Sequence, residues 1–167
     1  MKCFGLGLII DMYSTEGIVL KKVESGEADF LFTIYTKDFG KIRALARGVK
    51  KEGAKLKGHL ELYSLSNISF VLGKNGERLT QARLLNFWPS LRYSWKRLTL
   101  VGQLLEMVDK NCGEGDKDES IWLLLLGSLN FLEQQEMPDA NLSLFSRDFS
   151  KRLSMCLGYG GSLKIFK

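Results

Sequence analysis

KDFGKIRALARGVKKEGAKLK, residues 37–57, holds the pattern on which the reading of the fold turns. The stretch has eight bases (Lys37, Lys41, Arg43, Arg47, Lys50, Lys51, Lys55, Lys57) and two acids (Asp38, Glu52), a local net charge of +6. The whole chain of 167 residues carries only +5, so the remaining residues sum to about −1. Positive charge focused in this way attracts polyanions more strongly than the same charge spread evenly. The stretch also alternates. Ile42, Ala44 and Ala46 share one parity, and Arg43 and Arg47 share the other. In a strand this puts small apolar residues on one face and both arginines on the opposite face. A β-surface that is apolar behind and basic in front suits a nucleic-acid backbone.

The neighbouring segments read as further strands. Glu16–Val23 forms a first strand, with Ile18 and Leu20 on one face, and Gly26–Asp29 is a turn cluster. Phe30–Thr36 is a second strand, in which Phe30, Phe32 and Ile34 alternate with Leu31, Thr33 and Tyr35. Lys37–Gly40 is a short hairpin loop leading into a third strand, Lys41–Val49. Lys50–Gly58 is a basic loop or a single helical turn. A long fourth strand covers Leu60–Leu72, and Asn75-Gly76 signals a hairpin into a fifth strand, Arg78–Leu85. Five strands with short hairpins and one longer excursion, between strands three and four, predict a small closed barrel of the OB type.

After Trp88-Pro89 the apolar period becomes helical. Leu91, Trp95, Leu98, Val101, Leu105 and Val108 fall on one stripe. Asp118 or Ser120 is placed to cap a second helix carrying Ile121, Leu125, Leu129 and Leu132. A third helix carries Leu142, Phe145, Phe149, Leu153 and Cys156, with Gly158 placed to end it. The expected class is therefore α+β, a five-stranded OB-type antiparallel β-barrel followed by a small α-helical domain. The expected divisions are residues 1–12 as an extension or alternative start, 13–87 as a nucleic-acid-binding OB domain and 88–167 as the helical domain.

Hydrophobic content of 45% argues for a folded globular chain. Cys3, Cys112 and Cys156 are odd in number and widely spaced, without a C-x-x-C. This spacing speaks against a disulfide framework or a zinc site and fits a reducing cytoplasm. His59 is the single histidine and has no ligand-spaced partner, so it reads as a partly exposed strand residue. The apolar start, Cys3 to Ile10, lacks the charge and cleavage pattern of a signal peptide and is far shorter than the roughly 20 residues a membrane span needs. Met12 is an alternative start. No P-loop, G-x-S-x-G, H-E-x-x-H or dinucleotide fingerprint is present, and no nucleophile and base are paired, so no catalytic residue, metal site or cofactor is expected.

Four segments in register resemble the RecO family of bacterial recombination and repair proteins. They are Glu16-Gly-Ile-Val-Leu20, Gly26-Glu-Ala-Asp29, Thr36-Lys-Asp-Phe-Gly-Lys-Ile-Arg43 and Ala46-Arg-Gly-Val-Lys-Lys51. The resemblance covers about residues 14 to 90 and continues more weakly through the helices. It implies an OB barrel joined to a helical domain, and a mediator without covalent chemistry in place of an enzyme. It also implies binding of single- and double-stranded DNA, annealing of complementary strands, and help, with RecR, in loading RecA onto strands coated by single-stranded-DNA-binding protein. The acidic tail of that coating protein is an implied partner of the helical domain, with Lys96 and Arg97 or Lys151 and Arg152 as candidate contacts. No membrane partner is implied, and the implied location is cytoplasmic, at the nucleoid. Members usually carry a four-cysteine zinc finger. Here Leu157–Leu163 looks like the approach to one, and no C-x-x-C follows before Lys167, so the chain reads as a short or truncated member.

The candidate nucleic-acid-binding residues are Lys37, Lys41, Arg43, Arg47, Lys50, Lys51, Lys55 and Lys57 for phosphates. Tyr35 is a candidate for stacking, with Phe39 and Tyr63 as further aromatics on or near the same strands. An adaptor that docks partner proteins without binding DNA, and an OB module for structured RNA, are the alternatives.

Overall fold

A computed structural model describes residues 11–159 apart from 53, 74 and 75. The apolar start up to Ile10 and the segment after Tyr159 lie outside the described residues. Five strands come first: β1 (Met12–Ser25), β2 (Asp29–Thr36), β3 (Gly40–Ala46), β4 (Leu65–Gly73) and β5 (Gly76–Asn86). Four helices follow: α1 (Pro89–Arg92), α2 (Trp95–Asn111), α3 (Glu119–Gln134) and α4 (Asp139–Cys156).

The strands close a barrel in the order β1-β2-β3-β5-β4, and β4 returns to β1. This is the OB arrangement, and the class is α+β. The long β1 makes closure possible because its middle serves two neighbours: Ile18 faces Tyr35 of β2 and Leu65 of β4. Pairing of β1 with β4 ends at Ile18, beyond which Val19 exchanges backbone hydrogen bonds with Tyr63 and Ser64, and the β1–β2 register shifts between Val19 and Lys21. Gly17 sits at the crowded centre of this strand. A Cβ there would lie 2.5 Å from Cγ2 of Ile34, so only glycine fits without displacement. The seam between β3 and β5 is short and parallel, with Ala44 opposite Glu77 and Leu45 opposite Arg78.

Alternation along β3 buries Ile42, Ala44 and Ala46 and leaves Arg43 exposed, as the parity of the sequence predicts. Val19, Phe32, Ile34, Ile68, Phe70 and Leu79 complete the barrel interior, and Val49, Leu56 and Leu60 cap it from the excursion between β3 and β4. A second core lies outside the barrel wall. There Ile18, Leu20 and Tyr35 pack against Trp88 and the apolar faces of α2, α3 and α4. Both faces of β2 are therefore covered around Phe32–Thr36, so that strand lacks a solvent face there.

Three boundaries differ from the sequence reading. β3 ends at Ala46 and not Val49, because Gly48 turns with φ 68° and its amide donates to the Asp29 carboxylate at 2.7 Å. β4 starts at Leu65 and not Leu60. Leu60 is buried from a looped segment, and Tyr63 holds φ 60°, so apolar spacing there imitates a strand. The first helical stripe divides into α1 and α2 at Ser94, whose extended backbone and hydroxyl cap α2 by accepting from the Arg97 amide. Trp95, expected on the buried stripe, is 81% exposed as a result. Asp118 caps α3 as expected, accepting from the amides of Ser120 and Ile121. The α4 terminus closes with Gly158 at φ 79°, its amide donating to Met155 O and the Tyr159 amide to Ser154 O. Among the described residues no helix is long and apolar enough to cross a membrane.

Candidate nucleic-acid interface

The fold divides the basic stretch into three groups. The first meets an acidic loop. Between α2 and α3 the chain passes across the start of β3, and Gly115 N donates to Lys41 O at 2.8 Å. Gly40, at φ 65°, lies so close to Asp116 that a side chain would overlap its carbonyl. Lys41 Nζ donates to Asp109 O at 2.6 Å and pairs with Asp109 Oδ1 at 3.3 Å, leaving its side chain 11% exposed. Arg43 reaches Glu114 at 3.6 Å, with both side chains more than half exposed. Lys41 thus corrects the sequence expectation: its ammonium is committed inside the protein, while Arg43 stays accessible through a weak surface pair.

Tyr35 is a second correction. Its ring is fully buried in the outer core, and its hydroxyl donates toward the carbonyls of Asp118 (3.3 Å) and Asp116 (3.5 Å). Burial, with Cys112 and the nearby acids adding to it, holds the phenol well above its ordinary pKa. No base reaches this ring without unfolding the junction between barrel and helices. Phe39 is half-buried in edge-to-face contact with Tyr13 (5.4 Å) and Phe70 (5.3 Å), and Tyr63 is half-buried against Gly102.

The second group is Lys50 alone. It pairs with Glu24 at 3.0 Å and lies 5.1 Å from the centre of the Phe30 ring, which Lys22 also approaches at 4.5 Å.

The third group converges. After Gly48 the chain winds through consecutive turns, with Lys51 N donating to Gly48 O, Ala54 N to Lys51 O and Lys57 N to Ala54 O. Leu56 points into the barrel and anchors the excursion, while Arg47, Lys51 and Lys55 remain in solvent. These three, with Arg78 of β5, line a cleft of about 450 Å³ that also includes Glu52 and Thr80. Four cations against one carboxylate make the cleft cationic, and none of the four forms an ion pair with a described residue. Lys37 and Lys57 are exposed but do not line it.

Arg78 is the residue that sequence reasoning missed. Its signal was available indirectly. An OB barrel closes β3 on β5, so a base at the start of β5 falls beside the end of β3, where Arg47 stands.

The cations of the helices are mostly occupied. Lys96 pairs with Asp139, Arg152 pairs with Asp148 at 2.7 Å, and Arg97 donates to Gln135 O at 2.7 Å. Lys151 is exposed. A second cleft, of about 410 Å³, is lined by Tyr13, Phe39 and Phe70 with Asp38, Glu77 and Lys117, two acids against one base and so less suited to phosphate than the first.

The architecture defines an OB-barrel protein with a helical bundle packed on its outer wall. Residues 10–88 match the family described as Recombination protein O N terminal. Relatives named DNA repair protein RecO extend the likeness through the helices. The one from Gloeobacter violaceus is 36% identical over 72% of this chain and 46% of its own length. That from Roseiflexus sp. is 32% identical over 89% of this chain and 50% of its own. That from Pelotomaculum thermopropionicum is 28% identical over 89% of this chain and 56% of its own. The barrel is thus similar to the amino-terminal domain of the RecO family, and the likeness to these relatives runs on through the helices. It spans about half the length of the curated relatives it matches.

Proposed function

We propose that the chain acts in DNA repair and recombination as a non-enzymatic mediator, with residues 13–87 as its nucleic-acid-binding unit. One observation carries the reading: Arg47, Lys51, Lys55 and Arg78 come from two separate parts of the barrel and open onto one cleft. Phosphates seated there release condensed counterions, which drives binding without sequence preference. The same charge screens repulsion between two strands, a physical basis for annealing. The proposal extends to assistance in RecA loading with RecR and to contact with the tail of the coating protein, as the resemblance to the RecO family implies.

The test is a shift assay on single-stranded DNA together with annealing of complementary strands, using Arg47→Glu with Lys55→Glu. Both side chains are exposed, so the fold survives the change. Loss of binding and annealing is expected, and unchanged affinity at low salt refutes the cleft. Stronger binding to structured RNA than to DNA replaces the DNA reading with the RNA module.

A second reading has its own observation. Pairs at Lys41, Arg43 and Lys50 engage three of the eight bases of the stretch, which favours an adaptor that docks proteins. Retention of RecR or the coating protein in a pull-down, with no DNA shift, selects it.

A further inference from the structure

Tyr93, on the turn between α1 and α2, and Trp95, the first residue of α2, stand 91% and 81% exposed. The other two tryptophans, Trp88 and Trp122, are buried at 1% and 3%. Two bare aromatic rings one residue apart ask for a partner. The turn that presents them is firmly held. Arg92 donates to Leu62 O at 2.7 Å and to Phe87 O at 3.0 Å, and its guanidinium lies 3.7 Å from the centre of the Phe87 ring. Ser94 then caps α2.

The strand β5 leads from the cationic cleft to this turn. Arg78, Gln81, Arg83 and Leu85 are exposed along it and Phe87 just beyond its end, and Arg78 belongs to the cleft itself. From Arg78 to Phe87 a strand covers about 30 Å at roughly 3.3 Å per residue, a length in keeping with the ~4–16 nucleotides an OB barrel holds. Arg83, like Arg78, pairs with no described acid. Of the acids near the turn, Glu61 faces the Arg92 guanidinium and two others are engaged. Glu133 accepts from the amides of Ser90 and Leu91, and Asp139 is paired with Lys96. The path is thus positive along the strand and aromatic at its end.

We propose that the outer face of β5 carries a single nucleic-acid strand from Arg78 to the turn at Tyr93 and Trp95, whose rings stack its bases. The inference rests on the cleft binding nucleic acid and adds a direction and an end point to it. Isolated rings beside arginines accept any base, since each base offers a π face. Stacking of this kind strengthens binding about fivefold or more per base.

Tryptophan emission tests this directly, because Trp95 is the exposed fluorophore. Oligothymidylate of about 16 nucleotides is expected to quench the parent protein, and Trp95→Phe is expected to abolish the quench. Tyr93→Ala with Trp95→Ala is expected to weaken binding about 25-fold, fivefold for each ring. Binding by the parent with no quench and no loss in the double variant overturns the stacking turn and leaves the cleft standing. Absence of any binding by the parent overturns both. Emission from Trp95 that shifts with protein concentration alone, and not with oligonucleotide, assigns the rings to self-association and likewise overturns the proposal.

Discussion

Replacing Arg47 and Arg78 together by alanine removes half the cations of the cleft and touches no ion pair among the described residues. Four phosphate contacts on a single strand, at about 0.7 counterions each, give a slope of about −2.8 for log affinity against log salt. Raising salt fourfold, from about 50 to 200 mM, then weakens the parent about 50-fold. With two contacts left the slope is about −1.4 and the same change costs about sevenfold. Fluorescence anisotropy of a labelled oligothymidylate at four or five salt concentrations measures both slopes. Lys41→Ala is the control. Its ammonium is engaged with Asp109, so the slope should stay at the parent value while stability drops. Equal slopes in the parent and the double alanine variant would refute the reasoning, as would a fall in slope for Lys41→Ala that matches theirs.

Further outcomes follow from the packing. Gly17→Ala forces a methyl against Ile34 and is expected to lower unfolding free energy by about 1–3 kcal/mol in urea titration, the range for overpacked cores. Asp118→Ala deletes the acceptor for two amides of α3 and should cost about 1 kcal/mol, read as a lower thermal midpoint. Burial pushes the Cys112 thiol up to about 11 from 9.0. Because the folded state holds this proton more tightly than the unfolded one, the contribution is complete below about pH 9 and is lost as pH rises through 11. Alkaline unfolding curves for the parent and Cys112→Ala should therefore converge in that window, and peptide mapping after alkylation at neutral pH should find Cys112 largely unmodified.

What the sequence shows and what it hides divide along physical lines. Period-two burial along β3 and the caps at Asp118 and Gly158 are local properties, and each was legible from neighbouring residues. Five strands with short hairpins and one longer excursion pointed to a closed barrel. The burial of Tyr35 was hidden because a helical layer from far along the chain covers what reads as an open strand face. The pairing of Lys41 with Asp109 joins residues 68 apart, and no local pattern announces it. Leu60 misled because a loop that packs on a barrel buries apolar side chains with the spacing of a strand. The candidate site was accordingly half legible. Arg47, Lys51 and Lys55 stood out as charge, whereas Arg78 needed the closure of β3 on β5.

Amide hydrogen exchange with and without saturating oligothymidylate tests the cationic cleft most directly. The account predicts slower exchange at Gly48–Lys57 and Arg78–Thr80, with Lys41–Arg43, which do not line the cleft, unchanged. Protection confined to Lys41–Arg43, or absent from both cleft segments at saturation, would contradict it.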